Sequence, residues 1–173
     1  MVRRRELERR LESVVGFADP DLGLEQYTTP AAIASTLVHE ATLRNDLRRP
    51  VVDLGTGTGI LAIGVALVAD IPVIGLDVDP RALATAAANE RALGVDIDWI
   101  CADIESVPLC PRERLTVLMN PPFGAQLGNR GADRAFLDAC GDLAACSYSI
   151  HNQGSRPFIE SYASQRGGSV THA

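Results

Sequence analysis

The sequence contains no lysine: all 16 basic residues are arginine, set against 22 acidic residues for a net charge of −6. An acidic body of this kind excludes a broad electrostatic embrace of nucleic acid, so any contact with a polyanion has to be local. Aromatic residues are scarce, at 5% with one tryptophan, and apolar burial therefore rests on aliphatic side chains. No apolar run approaches the roughly 20 residues that a membrane helix needs. The arginine-rich start lacks the apolar stretch of a secretory signal, so a cytoplasmic location is expected. Cys101, Cys110, Cys140 and Cys146 show no C-x-x-C spacing, and His39, His151 and His172 stand far apart. That pattern reads as reduced, structural thiols rather than a metal site.

What is present is the balance of a globular chain: 46% apolar and 22% charged among 173 residues. One domain is expected, large enough to bury a core without disulfide or metal. The charge is uneven. Residues 1–10 hold five arginines against Glu6 and Glu8, so that decapeptide is +3 and the remainder −9. Arg3, Arg4, Arg5, Arg9 and Arg10, with the pair Arg48 and Arg49, are candidate phosphate contacts. The plainer reading is a solvated helix face with Glu6 and Arg10 as an i,i+4 pair.

The chain is organised around Val51-Val52-Asp53-Leu54-Gly55-Thr56-Gly57-Thr58-Gly59-Ile60-Leu61. Two valines and Leu54 read as the end of a buried strand, the alternate glycines as a tight turn, and Ile60 to Ala69 as a helix leaving it. Glycine there lets the backbone turn sharply and lets a ligand approach without a side chain in the way.

Upstream, Leu7, Leu11 and Val14 or Val15 form one apolar stripe on an N-terminal helix broken by Gly16 and Pro20. Thr29 before Pro30 predicts an N-cap with proline at the first helical position, for a helix reaching about Leu43. Downstream, Pro72 to Leu76 is a second strand ending in Asp77. Asp79-Pro80 starts a helix to about Leu93 that Gly94 stops. Ile97 to Cys101 is a third strand ending at Asp103, and Leu115 to Met119 a fourth ending at Asn120. A helix near Asp133 to Asp142, a strand near Ala144 to Ile150 and a helix near Arg156 to Gln165 follow. Strands alternating with helices imply an α/β fold with a mostly parallel, doubly wound sheet covered by helices on both faces. Residues 1–45 read as a helical cap and loop, and residues 50–173 as the core of the same domain.

The informative polar residues sit where strands end, which is where ligands bind in open α/β sheets. Asp77 lies 20 residues after Gly57, where a carboxylate can accept both ribose hydroxyls of an adenosine. Asp103 or the adjacent backbone can meet the adenine edge. The run is G-x-G-x-G with Ile60 where a dinucleotide motif has glycine. A ligand without a pyrophosphate, such as S-adenosylmethionine, suits it better. Directly after the fourth strand comes Asn120-Pro121-Pro122-Phe123. Two prolines fix the backbone and remove two donors, so the turn offers acceptors. An exocyclic amine is a poor nucleophile because its lone pair is delocalised into the ring. Holding its two hydrogens on the Asn120 oxygen and the Pro121 carbonyl would aim that lone pair at a methyl donor. Phe123 would stack on the base.

These features together resemble the methyltransferase-like 5 family, archaeal and eukaryotic enzymes that methylate N6 of an adenine in small-subunit ribosomal RNA. The similarity runs through Glu6-Leu7-Glu8, Gly16-Phe17, Leu24-Glu25-Gln26-Tyr27, Asp53-Leu54-Gly55, Asp77-Val78-Asp79, Asn120-Pro121-Pro122-Phe123-Gly124, Asp133-Arg134-Ala135-Phe136-Leu137 and Tyr148-Ser149-Ile150-His151. The resemblance implies a Rossmann-like class I methyltransferase fold, with Asn120, Pro121, Pro122 and Phe123 as the catalytic turn. It implies S-adenosylmethionine as cofactor, bound against Gln26, Tyr27, Thr29, Asp53, Gly55, Gly57, Thr58, Ile60, Asp77, Asp103 and Ile104. Thr28 stands where the family has proline.

Family members continue into a final antiparallel strand pair. Since this chain stops at Ala173, its sheet is expected to lack that pair and to leave the strand near Ala144 to Ile150 at an open edge. The resemblance also implies RNA as partner and a small zinc-containing activator protein, Trm112, which pairs a strand beside the third strand. Two other readings stay open: the same loop acting on a protein glutamine or another nucleic-acid base, and a catalytically silent cofactor-binding scaffold.

Overall fold

Val51, Val52 and Leu54 bury their side chains completely, and a β-branched run with no exposed face makes a strand only at the centre of a covered sheet. A computed structural model describing residues 2–110, 114–122 and 132–172 places them there. Helices α1 (Arg4–Leu11) and α2 (Ala31–Leu43) precede β1 (Val51–Leu54). The alternation continues through α3 (Ile60–Ala66), β2 (Val73–Asp77), α4 (Pro80–Leu93), β3 (Asp98–Cys101), β4 (Leu115–Met119), α5 (Ala132–Leu143), β5 (Ala144–Ser149) and α6 (Arg156–Gln165). The sheet has five parallel strands in the order β3-β2-β1-β4-β5. From β1 the chain runs outward to β3 and then returns to β4 on the other side. A topological switch point therefore opens between the carboxyl ends of β1 and β4.

Alternate residues of the central strands face opposite cores. Val51 and Leu118 join Leu7, Leu11, Val38, Ile63 and Val65 on one side. Val52, Leu54, Val117 and Met119 join Cys140 and Leu143 on the other. The predicted elements are present, with shifts at their ends that have local causes. Pro72 has no N–H to give to a ladder, so β2 begins at Val73 while the Pro72 carbonyl accepts from Val51. Ile97 donates its N–H to the Glu90 side chain at 3.2 Å, so β3 begins one residue later than expected. Gly94 stops α4 in the left-handed conformation, as its position implies.

Other expectations need correction. On α1 the ion pair is Arg4–Glu8 at 3.1 Å, where the sequence pointed to Glu6 and Arg10. The helix itself ends at Leu11. Val14 packs on the core while Val15 is 64% exposed, which settles the choice between them. Pro30 is the N-cap of α2 and Ala31 its first residue, so Thr29 does not cap the helix. Its hydroxyl has another partner, described below. At the sheet's other end β5 pairs with β4 alone among the described residues. The Tyr148 hydroxyl donates to Asp46 at 2.6 Å and ties β5 to the segment ahead of β1.

Candidate active site

Each central strand ends in a residue that cannot continue it. After β1 the backbone turns through Gly55 and Gly57, both with positive φ (68° and 56°), a conformation that glycine alone adopts without strain. A Cβ on Gly55 would lie 2.7 Å from the Phe136 ring, and one on Gly57 would lie 2.8 Å from the Phe17 ring. The two glycines thus admit aromatic rings from α5 and from the segment after α1. A cleft of about 300 Å³ opens over this turn.

Strand ends supply Gly55, Thr56, Gly57, Thr58 and Ile60 after β1, Leu76, Asp77 and Val78 at β2, Ala102, Asp103 and Ile104 after β3, and Asn120 and Pro122 after β4. Residues 23–29 and Phe17 close the cleft from the N-terminal side. Of the residues expected at the site, Gln26, Tyr27, Thr29, Gly55, Gly57, Thr58, Ile60, Asp77, Asp103, Ile104, Asn120 and Pro122 come together at this cleft. Pro121 is buried beside it. Phe123 lies outside the described residues. Asp53 sits behind the turn and does not face the cleft.

Several polar groups of the cleft are held by one another. Asp77 accepts from the Gly57 N–H at 2.7 Å and from the Asp79 N–H at 2.9 Å, one on each oxygen. A carboxylate oxygen has two lone pairs, so both retain acceptor capacity toward a ligand. Burial pushes the Asp77 carboxyl above its ordinary range, partly opposed by those two N–H groups. Gln26, expected against the cofactor, spends its amide on the protein. Its Nε2 donates to Asp79 at 2.8 Å and its Oε1 accepts from the Asp21 N–H at 2.8 Å. That donor holds the Asp79 carboxyl below its ordinary range. Asp103 caps the short turn Ile104–Ser106 by accepting from the Glu105 N–H at 2.9 Å.

Asn120 is the polar residue of β4's end. Its Nδ2 donates to the Thr29 hydroxyl at 2.9 Å, across 91 positions of sequence. Its Oδ1 is buried and has no partner among the described residues. An unsatisfied buried acceptor costs on the order of 1–3 kcal/mol, and such an atom on a ligand cleft is explained when a ligand supplies the missing donor.

Three residues with roles here escaped the sequence reading. Phe17 and Phe136 flank the glycine turn. Asn89 of α4 donates to the carbonyls of Val15 and Thr58 and accepts from the Val15 N–H, which locks the segment carrying Phe17 onto the turn. Nothing in the spacing around Asn89 distinguishes it from any other helical asparagine.

Asp53 shapes the turn from beneath. One oxygen accepts from the Thr56 hydroxyl at 2.6 Å and from the Ala62 N–H at 3.1 Å, while the other has no partner among the described residues. Complete burial pushes its carboxyl up to about 7, against the lowering effect of those two donors. The folded chain therefore holds this proton over a pH range where the unfolded chain, with an ordinary aspartate near 3.8, has lost it. Stability from this source is fully present below about pH 4 and is lost as pH rises through about 7. Asp53→Asn keeps the acceptor and removes the titration. The melting-temperature difference between parent and variant is expected to shift against the parent by several degrees from pH 4 to pH 7, at roughly 2–4 °C per kcal/mol. Parallel profiles in calorimetry would contradict the assignment.

Comparison with known proteins accords with this geometry. The Methyltransferase small domain family matches residues 32–143. An uncharacterised protein of Methanocaldococcus jannaschii is 36% identical, over 99% of this chain and 81% of its own length. The rRNA N6-adenosine methyltransferases METTL5 of Danio rerio and Mettl5 of Drosophila melanogaster are 35% and 36% identical, over 92% and 96% of this chain and 79% and 81% of theirs. A solved structure, that of a proposed RNA methyltransferase from Pyrococcus horikoshii, superposes with a TM-score of 0.89 at 35% identity. It covers 99% of this chain and 85% of that one.

Proposed function

The chain belongs to the methyltransferase small domain family, and on that premise we propose that it is an S-adenosylmethionine-dependent RNA methyltransferase acting on N6 of an adenine. The observation that carries this is the Asn120 Oδ1, a buried acceptor without a partner among the described residues, standing at the switch point beside the glycine turn. The cleft fits the cofactor. Its volume of about 300 Å³ falls at the lower end of the roughly 300–1,000 Å³ of small-ligand sites, Phe17 and Phe136 give it apolar walls beside the glycine turn, and Asp77 offers acceptors to vicinal hydroxyls. When bound, S-adenosylmethionine supplies an electrophilic methyl group on a sulfonium.

The chain's own residues prepare the amine. Asn120 Oδ1 and the Pro121 carbonyl each take one N–H of the exocyclic group, withdrawing its lone pair from the ring and aiming it across the cleft. A base in a folded RNA has to be splayed out to reach this depth. The amine's proton becomes acidic as the new N–C bond forms and leaves to water, so no general base is assigned. Exposed Arg3, just ahead of α1, and Arg5 and Arg9 on it are candidate phosphate contacts that complement the acidic body.

The finer reading is small-subunit ribosomal RNA as substrate, in the cytoplasm, with a Trm112-like activator pairing along the open side of β3. Support for the partner comes from β3 itself, an edge strand whose one partner among the described residues is β2. The direct test is transfer from labelled donor to ribosomal RNA, to DNA and to a protein release factor, with and without the activator. Label in small-subunit RNA, enhanced by the activator, is expected. Label confined to the release factor or DNA, or cofactor binding without transfer to any acceptor, would contradict the reading.

A further inference from the structure

We propose that Thr29 is a positioning residue for the reaction: its hydroxyl, paired with the Asn120 amide nitrogen, holds that side chain with its oxygen left for the substrate. This rests on the adenine-amine reading of the site given above. A primary amide presents an acceptor on one side and a donor on the other, and the two ends have nearly the same shape. Only the oxygen can receive an amine hydrogen. If the amide were reversed, its NH2 would confront the amine's own N–H groups, and the turn would repel the substrate it is built to hold.

In the structure the Thr29 hydroxyl takes the nitrogen end. Asn120 Nδ2 donates to it at 2.9 Å, and Oδ1 is buried with no partner among the described residues. Thr29 is itself held. It is 7% exposed, and it precedes Pro30, whose φ of −60° starts α2. That helix is anchored by the buried Ala34, Ser35, Val38 and Ala41. The hydroxyl that sequence pattern assigns to helix capping is thus turned away from α2 and toward the end of β4. A hydrogen bond to this largely buried hydroxyl restricts the amide's rotation before substrate arrives, which is the kind of preorganisation that lowers a barrier rather than strengthens ground-state binding.

The test compares Thr29→Val, which keeps the shape and loses the hydroxyl, with Thr29→Ser, which keeps the hydroxyl. Each is made alone and in the Asn120→Ala background. Thr29→Val is expected to lower kcat by about tenfold, with the S-adenosylmethionine Kd and the RNA KM moved by less than about threefold. Thr29→Ser is expected to restore kcat to within about threefold of the parent, and Thr29→Val is expected to cost nothing further once Asn120 is alanine. Thermal melting of each variant separates folding from chemistry. Unchanged kcat in Thr29→Val beside an impaired Asn120→Ala would overturn this inference alone. So would an equal loss from Thr29→Val in both backgrounds, or a rise in cofactor Kd matching the loss in rate. Full transfer by Asn120→Ala would overturn the reading of the site and this inference with it.

Discussion

Asn120→Ala lowers methyl transfer by about a hundredfold or more and leaves the affinity for S-adenosylmethionine within about threefold of the parent. The asymmetry follows from where the side chain's polar atoms point. The Asn120 oxygen has no partner among the described residues and the amide nitrogen is satisfied by Thr29, so truncation removes no contact that the glycine turn or Asp77 needs. What it removes is one of two acceptors that hold the amine with its lone pair out of the ring. An interaction made fully only as nitrogen becomes tetrahedral appears in kcat and kcat/KM together, with little change in KM. Stability is expected to change little, because a buried orphan acceptor disappears while the Thr29 hydroxyl loses its partner. A variant that retains full transfer would reduce the Asn120-Pro121-Pro122 turn to architecture.

Asp77→Ala has the converse signature, weakening cofactor binding by roughly tenfold to a hundredfold, on the order of 1.5–3 kcal/mol. Two effects add. The carboxylate is the acceptor placed for the ribose hydroxyls, and it also takes the Gly57 and Asp79 N–H groups at 2.7 and 2.9 Å. Its loss therefore frees one residue of the glycine turn and one of the turn that starts α4. Asp77→Asn keeps a single carbonyl acceptor and is expected to lose less than the alanine variant. Because burial raises this carboxyl's pKa, affinity in the parent is expected to decline on acidification as the acceptor is protonated, a trend that Asp77→Asn lacks. Titration calorimetry across pH checks both statements, and an unchanged Kd in Asp77→Ala would remove the residue from the site.

Much of this arrangement is legible in the sequence because strand ends are local events. Asp77, Asp103 and Asn120 each stop a short β-branched or aliphatic run, and a parallel sheet gathers such stops along one edge whatever the details of packing. The Gly55 to Gly59 turn and the Gly94 stop are legible for the same reason: their backbone requirement is carried by one residue type. What the sequence hides is pairing between distant segments. Thr29-Pro30 has the pattern of a helix start, and only the fold shows the hydroxyl committed to a partner 91 positions away. Gln26 is placed at the cleft correctly, yet its amide serves Asp21 and Asp79. Asp53 is close in sequence to the turn but lies beneath it, since its strand position points its side chain into the core side of β1. Phe17 and Phe136 fall within stretches that resemble the family without any local sign that their rings meet glycines.

The central claim is that the buried Asn120 oxygen directs a methyl group onto an adenine amine. The most direct measurement is nucleoside mass spectrometry of small-subunit ribosomal RNA incubated with S-adenosylmethionine and either the parent or Asn120→Ala, each with a Trm112-like activator present. The account predicts N6-methyladenosine from the parent, confined to one position, and about a hundredfold less from the variant. A methyl group on ribose or on a ring carbon, or equal N6-methyladenosine from the two proteins, would contradict it.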